Sequence, residues 1–252
     1  MRLLMLASGS DGNCMLVEHD GYSVLIDAGL SCREIRRRIE LAGASMPQPS
    51  AIFLTHEHSD HVKGARVTAR RLGVPVICTP GTARGTPGLR DVPCVRTLAP
   101  GGSVETGPFV VTSFLLPHDA AEPSGYVIEW DGGRLGIATD LGCWSHLVAE
   151  SLSGCTGLVL EFNHDEDMLW GGRYPWPLKQ RIASSNGHLS NSAAGDLLGA
   201  VRHEALEFVI LAHLSQENNR PALALEAARA VPGFCGQILV ADQDRAFAAP
   251  CI

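Results

Sequence analysis

Short apolar runs alternate along the chain with longer stretches in which apolar residues recur every three or four positions. The short runs predict strands, among them residues 51–54, 76–78, 109–112, 126–129 and 134–137. The longer stretches predict helices over residues 31–41, 62–72, 144–152, 192–201 and 223–231. This alternation predicts a layered α/β protein with helices on the outer faces of its sheets.

The segments between these elements have a distinct composition. The apolar run within residues 1–10 is too short for the hydrophobic region of a signal peptide. It predicts instead a first strand, whose hairpin partner lies in residues 12–18. Residues 81–102 are rich in Gly, Pro, Arg and Thr and predict a loop. A second predicted loop, residues 170–177, carries three aromatic side chains. These could stack on a base or a sugar, or they could pack the loop onto the domain.

Composition limits the possible classes of protein. A chain of 252 residues with 45% hydrophobic and 19% charged residues can bury a full core, and no linker divides it, so we expect a single domain over residues 1–252. No apolar stretch is long enough to span a bilayer, which predicts no membrane association. The eight cysteines include no Cys-x-x-Cys pair, and this favours a reducing cytoplasm over a secreted disulfide framework.

The net charge of −7 argues against a protein that coats nucleic acid electrostatically. It does not argue against a nuclease, because bound divalent ions would reverse the local sign of the charge. Two arginine clusters, one within residues 33–38 and one within 66–71, are predicted on helices, where solvated helix faces are the simpler interpretation.

The densest candidate chemistry is the sequence Thr-His-Glu-His-Ser-Asp-His at residues 55–61. It follows the predicted strand 51–54 and contains four side chains that commonly bind metals, His56, His58, Asp60 and His61. A single tetrahedral site needs three protein ligands and a water, so this density suits two adjacent ions. Further candidates at or just beyond the ends of strand-like runs are Asp27, His118, Asp140 and His213.

The spacing of these residues resembles the signature of the metallo-β-lactamase fold superfamily. The resemblance implies a four-layer αβ/βα sandwich and two divalent ions, Zn or Mn. It places one ion on His56, His58 and His118 and the other on Asp60, His61 and His213, with Asp140 bridging the two. It also implies a bridging hydroxide as nucleophile and supporting roles behind the ligands for Asp27 and His164.

Two further residues resemble the catalytic elements of the tRNA 3′-processing ribonucleases in this superfamily. Glu161 ends an apolar run, and His188 follows Gly187 just before a predicted helix. The resemblance implies that this pair supplies a proton to the leaving oxygen, so we expect Asp60, His188 and Glu161 to take part in catalysis. Glu161 and His188 could instead be capping or buried hydrogen-bonded residues.

A narrower resemblance, to the YycJ (WalJ) family of bacterial proteins, rests on motifs spread from residue 6 to residue 219. They are Leu-Ala-Ser-Gly-Ser at 6–10, the histidine motif at 55–61, His-Asp-Ala-Ala-Glu-Pro at 118–123, Asn-His-Asp at 163–165, Gly-His-Leu-Ser-Asn at 187–191 and Leu-Ala-His-Leu-Ser at 211–215. The resemblance implies a DNA exonuclease that acts 5′ to 3′. The intervals between His118, Asp140 and His213 leave no room for a tRNA-binding arm or a β-CASP domain.

Two other functions remain open from the sequence. The fold also serves dinuclear hydrolases of small esters, thioesters or lactones, and fold does not decide function. A non-catalytic adaptor is the third hypothesis, although every expected metal position carries a competent ligand. The Glu161–His188 pair favours the nuclease, with DNA as the expected substrate.

Overall fold

The computed structural model describes residues 1–250, which form two seven-stranded sheets. The strands of the first sheet are β1 (Arg2–Ala7), β2 (Cys14–His19), β3 (Tyr22–Ile26), β4 (Ile52–Phe53), β5 (Val76–Cys78), β6 (Val95–Thr97) and β14 (Phe247–Ala248). Those of the second are β7 (Ser103–Thr106), β8 (Phe109–Leu115), β9 (Ser124–Trp130), β10 (Gly133–Ala138), β11 (Gly157–Glu161), β12 (Phe208–Ala212) and β13 (Gln237–Val240). The strand orders are β14-β1-β2-β3-β4-β5-β6 and β13-β12-β11-β10-β9-β8-β7.

The helices are α1 (Cys32–Leu41), α2 (Ser59–Val62), α3 (Ala65–Leu72), α4 (Pro80–Gly85), α5 (His146–Leu152), α6 (Glu166–Gly171), α7 (Trp176–Ile182), α8 (Asn191–Val201) and α9 (Pro221–Arg229), with a 3₁₀ helix at Pro87–Asp91. Helix α1 packs against the first sheet through Ile35 and Ile39, and helix α8 packs against the second through Leu197 and Leu198. The sheets share an inner core that includes Phe53 and Tyr126. This four-layer arrangement confirms the predicted αβ/βα sandwich.

Each sheet contains a run of parallel strands, β3 to β6 in the first and β10 to β13 in the second. Parallel neighbours end at the same edge of a sheet, and ligands of open α/β sheets bind beyond the carboxyl ends of the strands. Asp27 therefore lies at the carboxyl edge of the first sheet, and Glu161 and His213 lie at that of the second, because each ends or directly follows a strand of these runs.

The structure corrects two predicted loops. Residues 81–102 contain most of α4, the 3₁₀ helix and β6. Helix α4 begins here because the Thr79 side chain accepts the Thr82 N–H and Pro80 has a φ angle that suits the first position of a helix. Residues 170–177 include the end of α6 and the start of α7. The rings of Trp170 and Trp176 lie 5.3 Å apart, and both residues are exposed.

Two predicted helices begin later than the apolar pattern suggested. Helix α3 begins at Ala65, after Gly64, where a Cβ would lie 1.8 Å from the Leu30 carbonyl oxygen. Helix α5 begins at His146 because the Ser145 side chain accepts the Val148 N–H as its N-terminal cap. Within residues 1–250, no helix is both long enough and apolar enough to cross a bilayer.

Tyr126 connects the two sheets next to the histidine motif. Its ring packs edge-on against Phe53 at a centroid distance of 5.5 Å, and its buried hydroxyl donates a 2.6 Å hydrogen bond to the Leu54 carbonyl. Leu54 directly precedes the motif, so this bond holds the end of β4 against the second sheet.

We expect Tyr126→Phe to reduce the free energy of unfolding by about 1–3 kcal/mol, because it removes a partner from a buried carbonyl. Urea denaturation in the presence of a chelator measures this loss without a contribution from metal binding. Tyr22→Phe is the matched control, since Tyr22 is half exposed. Equal stability of the two variants would contradict a structural role for the buried hydroxyl.

Candidate metal centre

Three histidines converge at the junction of the two sheets. His56 and His58 belong to the loop after β4, and His118 belongs to the loop after β8. His58 Nδ1 lies 3.0 Å from His56 Nε2 and 3.3 Å from His118 Nε2. These nitrogens form one compact group of possible metal ligands.

A second group adjoins the first. His61 Nε2 lies 3.4 Å from Asp60 Oδ2 and 3.3 Å from Asp140 Oδ2. His213 Nε2 lies 3.4 Å from Asp140 Oδ1 and 3.8 Å from Asp60 Oδ2. Asp140 also groups with His56 and His61, so its carboxylate lies between the two sets of ligands.

The geometry of both groups fits divalent cations. Ligands about 2.0–2.1 Å from an ion in a tetrahedral arrangement are separated by about 3.3 Å, close to the distances within both groups. Asp140 Oδ2 and His213 Nε2 are buried and have no hydrogen-bond partner among residues 1–250. Buried polar atoms without partners are costly, and a cation between them would satisfy both. The cluster is therefore a site for divalent metal.

Asp27 orients His61. Its carboxylate is completely buried, and Oδ2 lies 2.7 Å from His61 Nδ1. Oδ1 accepts the Thr55 N–H at 2.9 Å, and the Thr55 hydroxyl is within 3.1 Å of the same carboxylate. A carboxylate that accepts the Nδ1 proton leaves Nε2 of the ring for a metal.

A hydroxyl and a backbone carbonyl orient the rings of His56 and His118 in the same way. The Thr55 hydroxyl lies 3.0 Å from His56 Nδ1, and the Gly187 carbonyl lies 2.9 Å from His118 Nδ1. Both contacts direct Nε2 of the ring toward the ligand group. His58 differs from these two, since its Nδ1 faces the group.

Glu161 organises the second sheet's side of the site. It is completely buried at the end of β11, and Oε1 lies 2.9 Å from His213 Nδ1 and 2.8 Å from His188 Nδ1. Oε2 accepts the N–H groups of Leu141 and Leu189 at 2.9 and 3.1 Å. One carboxylate thus fixes two rings and the backbone beside Asp140 and His188.

These contacts shift the ionisation of the site. Burial opposes charge on both Glu161 and His213, but their mutual attraction and hydrogen bonds outweigh it. The pKa of Glu161 is lowered by His188 and His213, while Asp140, Asp60 and Glu161 raise the pKa of His213 to about 10 in the absence of an ion. A cation at His213 must therefore displace a proton.

Three site residues have left-handed backbone conformations that are unusual for residues other than glycine. The φ angles are 59° at Asp27, 61° at Asp140 and 55° at His213. Such conformations cost roughly 1–3 kcal/mol each and persist where the surrounding contacts determine them. Here they turn the chain sharply as it leaves β3, β10 and β12, so that the side chains point into the cluster.

His188 is partly exposed beside the ligand groups, whereas His164 is buried. The His188 ring lies 5.2 Å from the rings of both His118 and His213, and its side chain remains partly exposed. His164 is buried, and its Nδ1 has no hydrogen-bond partner among residues 1–250. No direct contact with a ligand residue supports the expected role of His164 within the part of the chain that is described.

Asn13 and Ser8 were not predicted as site residues. Asn13 Nδ2 lies 3.3 Å from Asp60 Oδ2 and 3.0 Å from His61 Nε2. The Ser8 hydroxyl accepts the His213 N–H at 2.7 Å. Ser8 belongs to the Leu-Ala-Ser-Gly-Ser motif at 6–10, and Asn13 lies three residues after it. Neither is a typical metal-ligand residue, and their contacts arise from distant parts of the chain.

Comparison with known proteins agrees with this geometry. A family model described as a beta-lactamase superfamily domain matches residues 22–214. The metallo-beta-lactamase fold protein YhfI from Bacillus subtilis superimposes with a TM-score of 0.74 at 17% identity, covering 98% of each chain. Zn²⁺-bound PqqB from Methylobacterium extorquens gives 0.73 at 17% identity, covering 98% of this chain and 99% of PqqB. The chain is a metal-dependent hydrolase of the metallo-β-lactamase-fold superfamily.

Two relatives define its place within that superfamily. Exodeoxyribonuclease YycJ from Bacillus anthracis is 38% identical over 87% of this chain and 84% of its own length. Exodeoxyribonuclease WalJ from Streptococcus pneumoniae is 34% identical over the same shares of the two chains. The chain belongs to the YycJ/WalJ family.

We expect Glu161→Gln to weaken metal binding about 10- to 100-fold, the usual effect of losing a carboxylate behind a ligand histidine. The amide keeps the shape of the side chain but cannot accept all of the donors that Glu161 accepts. Competition with a chromophoric chelator measures the affinity. Glu166→Gln is the matched control, because Glu166 is exposed and contacts Ser190. Unchanged affinity in Glu161→Gln would contradict this role.

Proposed function

We propose that this chain is an exodeoxyribonuclease that removes nucleotides from DNA in the 5′ to 3′ direction with two divalent ions. The observation that carries the proposal is the position of His188. It contacts Glu161 at 2.8 Å and lies beside both ligand groups, where a partly exposed ring can reach a leaving group. A nucleotide alkoxide is a poor leaving group and needs a proton. The activity given in the names of the YycJ and WalJ relatives supports the same reaction.

The ligand sets support two ions. We assign one to His56, His58 and His118 and the other to Asp60, His61 and His213, with Asp140 shared between them. Imidazole and carboxylate ligands suit both Zn and Mn. Two bound ions would supply a water-derived nucleophile at neutral pH and stabilise negative charge on the phosphoryl oxygens.

Glu161, His188 and Asp60 have separate roles in the proposed reaction. Glu161 is completely buried and acts as a positioning residue, since it holds His188 through Nδ1 and leaves Nε2 for the substrate. Protonated His188 donates to the leaving oxygen. The side chain of Asp60 is less buried than those of Asp27 and Asp140, and we infer that it binds metal and borders the reacting phosphate.

The state of the cysteines bears on the cellular compartment in which the protein works. The seven cysteines within residues 1–250 are unpaired, and five of them are not exposed. Unpaired cysteines suit a reducing compartment, which supports a cytoplasmic location. DNA is the proposed partner.

Metal analysis together with a nuclease assay tests the function. We expect about two equivalents of Zn or Mn in active protein and stepwise shortening of end-labelled DNA, both abolished by a chelator. Hydrolysis of small esters or thioesters without any cleavage of DNA would contradict the proposal and favour a small-molecule hydrolase.

Asp140→Ala tests the shared carboxylate. Because one carboxylate would contact both ions and offset their mutual repulsion, we expect the variant to retain less than half of the metal bound by wild type. Asp131→Ala is the control, since Asp131 lies in an exposed turn. Clean loss of one ion with the other fully retained would show that Asp140 does not bridge.

His188→Ala tests the proton donor. We expect kcat on DNA to fall roughly 10²- to 10⁴-fold while metal content is retained. Bis-p-nitrophenyl phosphate should be affected far less, because p-nitrophenolate leaves without a proton. His146→Ala is the control, because His146 is an exposed residue at the start of helix α5. Equal losses on DNA and on the activated ester would argue for a binding or structural role instead.

A further inference from the structure

A small cavity opens beside His188, next to the metal centre. Its volume is about 210 Å³, below the roughly 300–1,000 Å³ of pockets that take a whole drug-sized ligand. It therefore has room for about one phosphate and its sugar, and no room for a whole nucleotide or a continuing polymer. The polar residues that line it, apart from His188 itself, are Ser10, Asp119, Asn163, Tyr174, Arg181 and Ser215.

Helix α7 forms one wall of this cavity. Leu178, Arg181 and Ile182 line it from one face of this helix, and Tyr174 lines it from the segment just before the helix begins. Leu178 and Ile182 give the wall an apolar part, and Tyr174 adds an aromatic ring. The wall thus combines an apolar surface for a sugar or base with a cationic group.

The guanidinium of Arg181 is oriented so that it can bind an anion. Its Nε and Nη2 each lie 2.6 Å from Asp119 Oδ2. Arginine has five N–H donors, and the three that do not face Asp119 have no partner among residues 1–250. The side chain is 62% exposed, so a ligand can reach it. A guanidinium held in one orientation is well suited to bidentate contact with a phosphate.

The remaining polar groups suit the same ligand. The Ser215 hydroxyl accepts the Asn218 N–H at 3.1 Å, so its own proton remains available to donate. Ser10, an exposed residue, adds a further hydroxyl to the lining. The Asp119 carboxylate would repel an anion, but its pairing with Arg181 offsets that charge.

We propose that this cavity binds the 5′-phosphate and sugar of the terminal nucleotide of a DNA strand, with Arg181 on the terminal phosphate. The inference rests on the proposed function. With this end of the strand in the cavity, the next phosphate along the strand reaches the metal centre past His188. Because the cavity takes only one phosphate and sugar, cleavage occurs one nucleotide from the end.

This placement fits the chemistry of each step. The bond between phosphorus and O3′ of the terminal nucleotide breaks, the oxygen of a water molecule bonds to phosphorus, and O3′ receives a proton from His188. The released product is a nucleoside 5′-monophosphate. The shortened strand again ends in a 5′-phosphate, which is the group that the cavity recognises.

The test compares oligonucleotides that differ only in a 5′-phosphate or a 5′-hydroxyl. For wild type we expect kcat/KM to favour the phosphorylated strand on the order of 10- to 100-fold, as hydrogen bonds to a charged group would produce. In Arg181→Met the ratio should fall toward one. Arg71→Met is the matched control, because Arg71 is exposed on α3 and does not line the cavity. It should keep the wild-type ratio.

Leu178→Trp provides a second variant that fills the cavity and leaves the Arg181–Asp119 pair in place. It should also lower the ratio toward one. Strands with a 3′-phosphate or a 3′-hydroxyl should be cleaved equally by wild type. A wild-type ratio near one, or an unchanged ratio in both Arg181→Met and Leu178→Trp, would overturn the inference while leaving the nuclease proposal intact. Absence of any DNA cleavage by wild type would instead overturn the proposed function.

Discussion

The site depends on one buried carboxylate, that of Glu161. A fully buried carboxylate is unfavourable unless hydrogen bonds and nearby positive charge stabilise it, and Glu161 has four donors. Those donors come from the loops after β10 and β12 and from the turn before α8. The ring of His213, the ring of His188 and the backbone beside Asp140 are therefore positioned by the same group. Asp27 has the equivalent function in the first sheet, where it fixes His61 and Thr55.

Contacts within the chain thus orient most of the metal centre. Four histidines have partners at Nδ1, and their Nε2 atoms face the cluster. The left-handed backbone at Asp27, Asp140 and His213 and the unpartnered atoms of Asp140 and His213 both cost stability. A bound ion would offset this cost, because it would give the buried atoms partners. We therefore expect metal content and folding stability to be linked.

Much of this could be predicted from the sequence because the strongest signals are local. The motif at 55–61 is one continuous segment, and Asp27, Glu161 and His213 lie at the carboxyl ends of predicted strands. The helix in residues 80–85 escaped prediction because glycine and proline outweighed the cap formed by Thr79. The contact of Glu161 with two histidines, the role of Asn13 and the pairing of Asp119 with Arg181 all join distant residues, and no local pattern indicates them.

We propose that histidines oriented by carboxylates hold two neighbouring ions that share Asp140. Anomalous diffraction from crystals grown with Zn or Mn, recorded on both sides of the metal's absorption edge, would locate the ions. We expect two peaks roughly 3.5–4 Å apart, one among His56, His58 and His118 and one among Asp60, His61 and His213, with Asp140 in contact with both. A single peak at full occupancy, or ions outside these ligand groups, would contradict it.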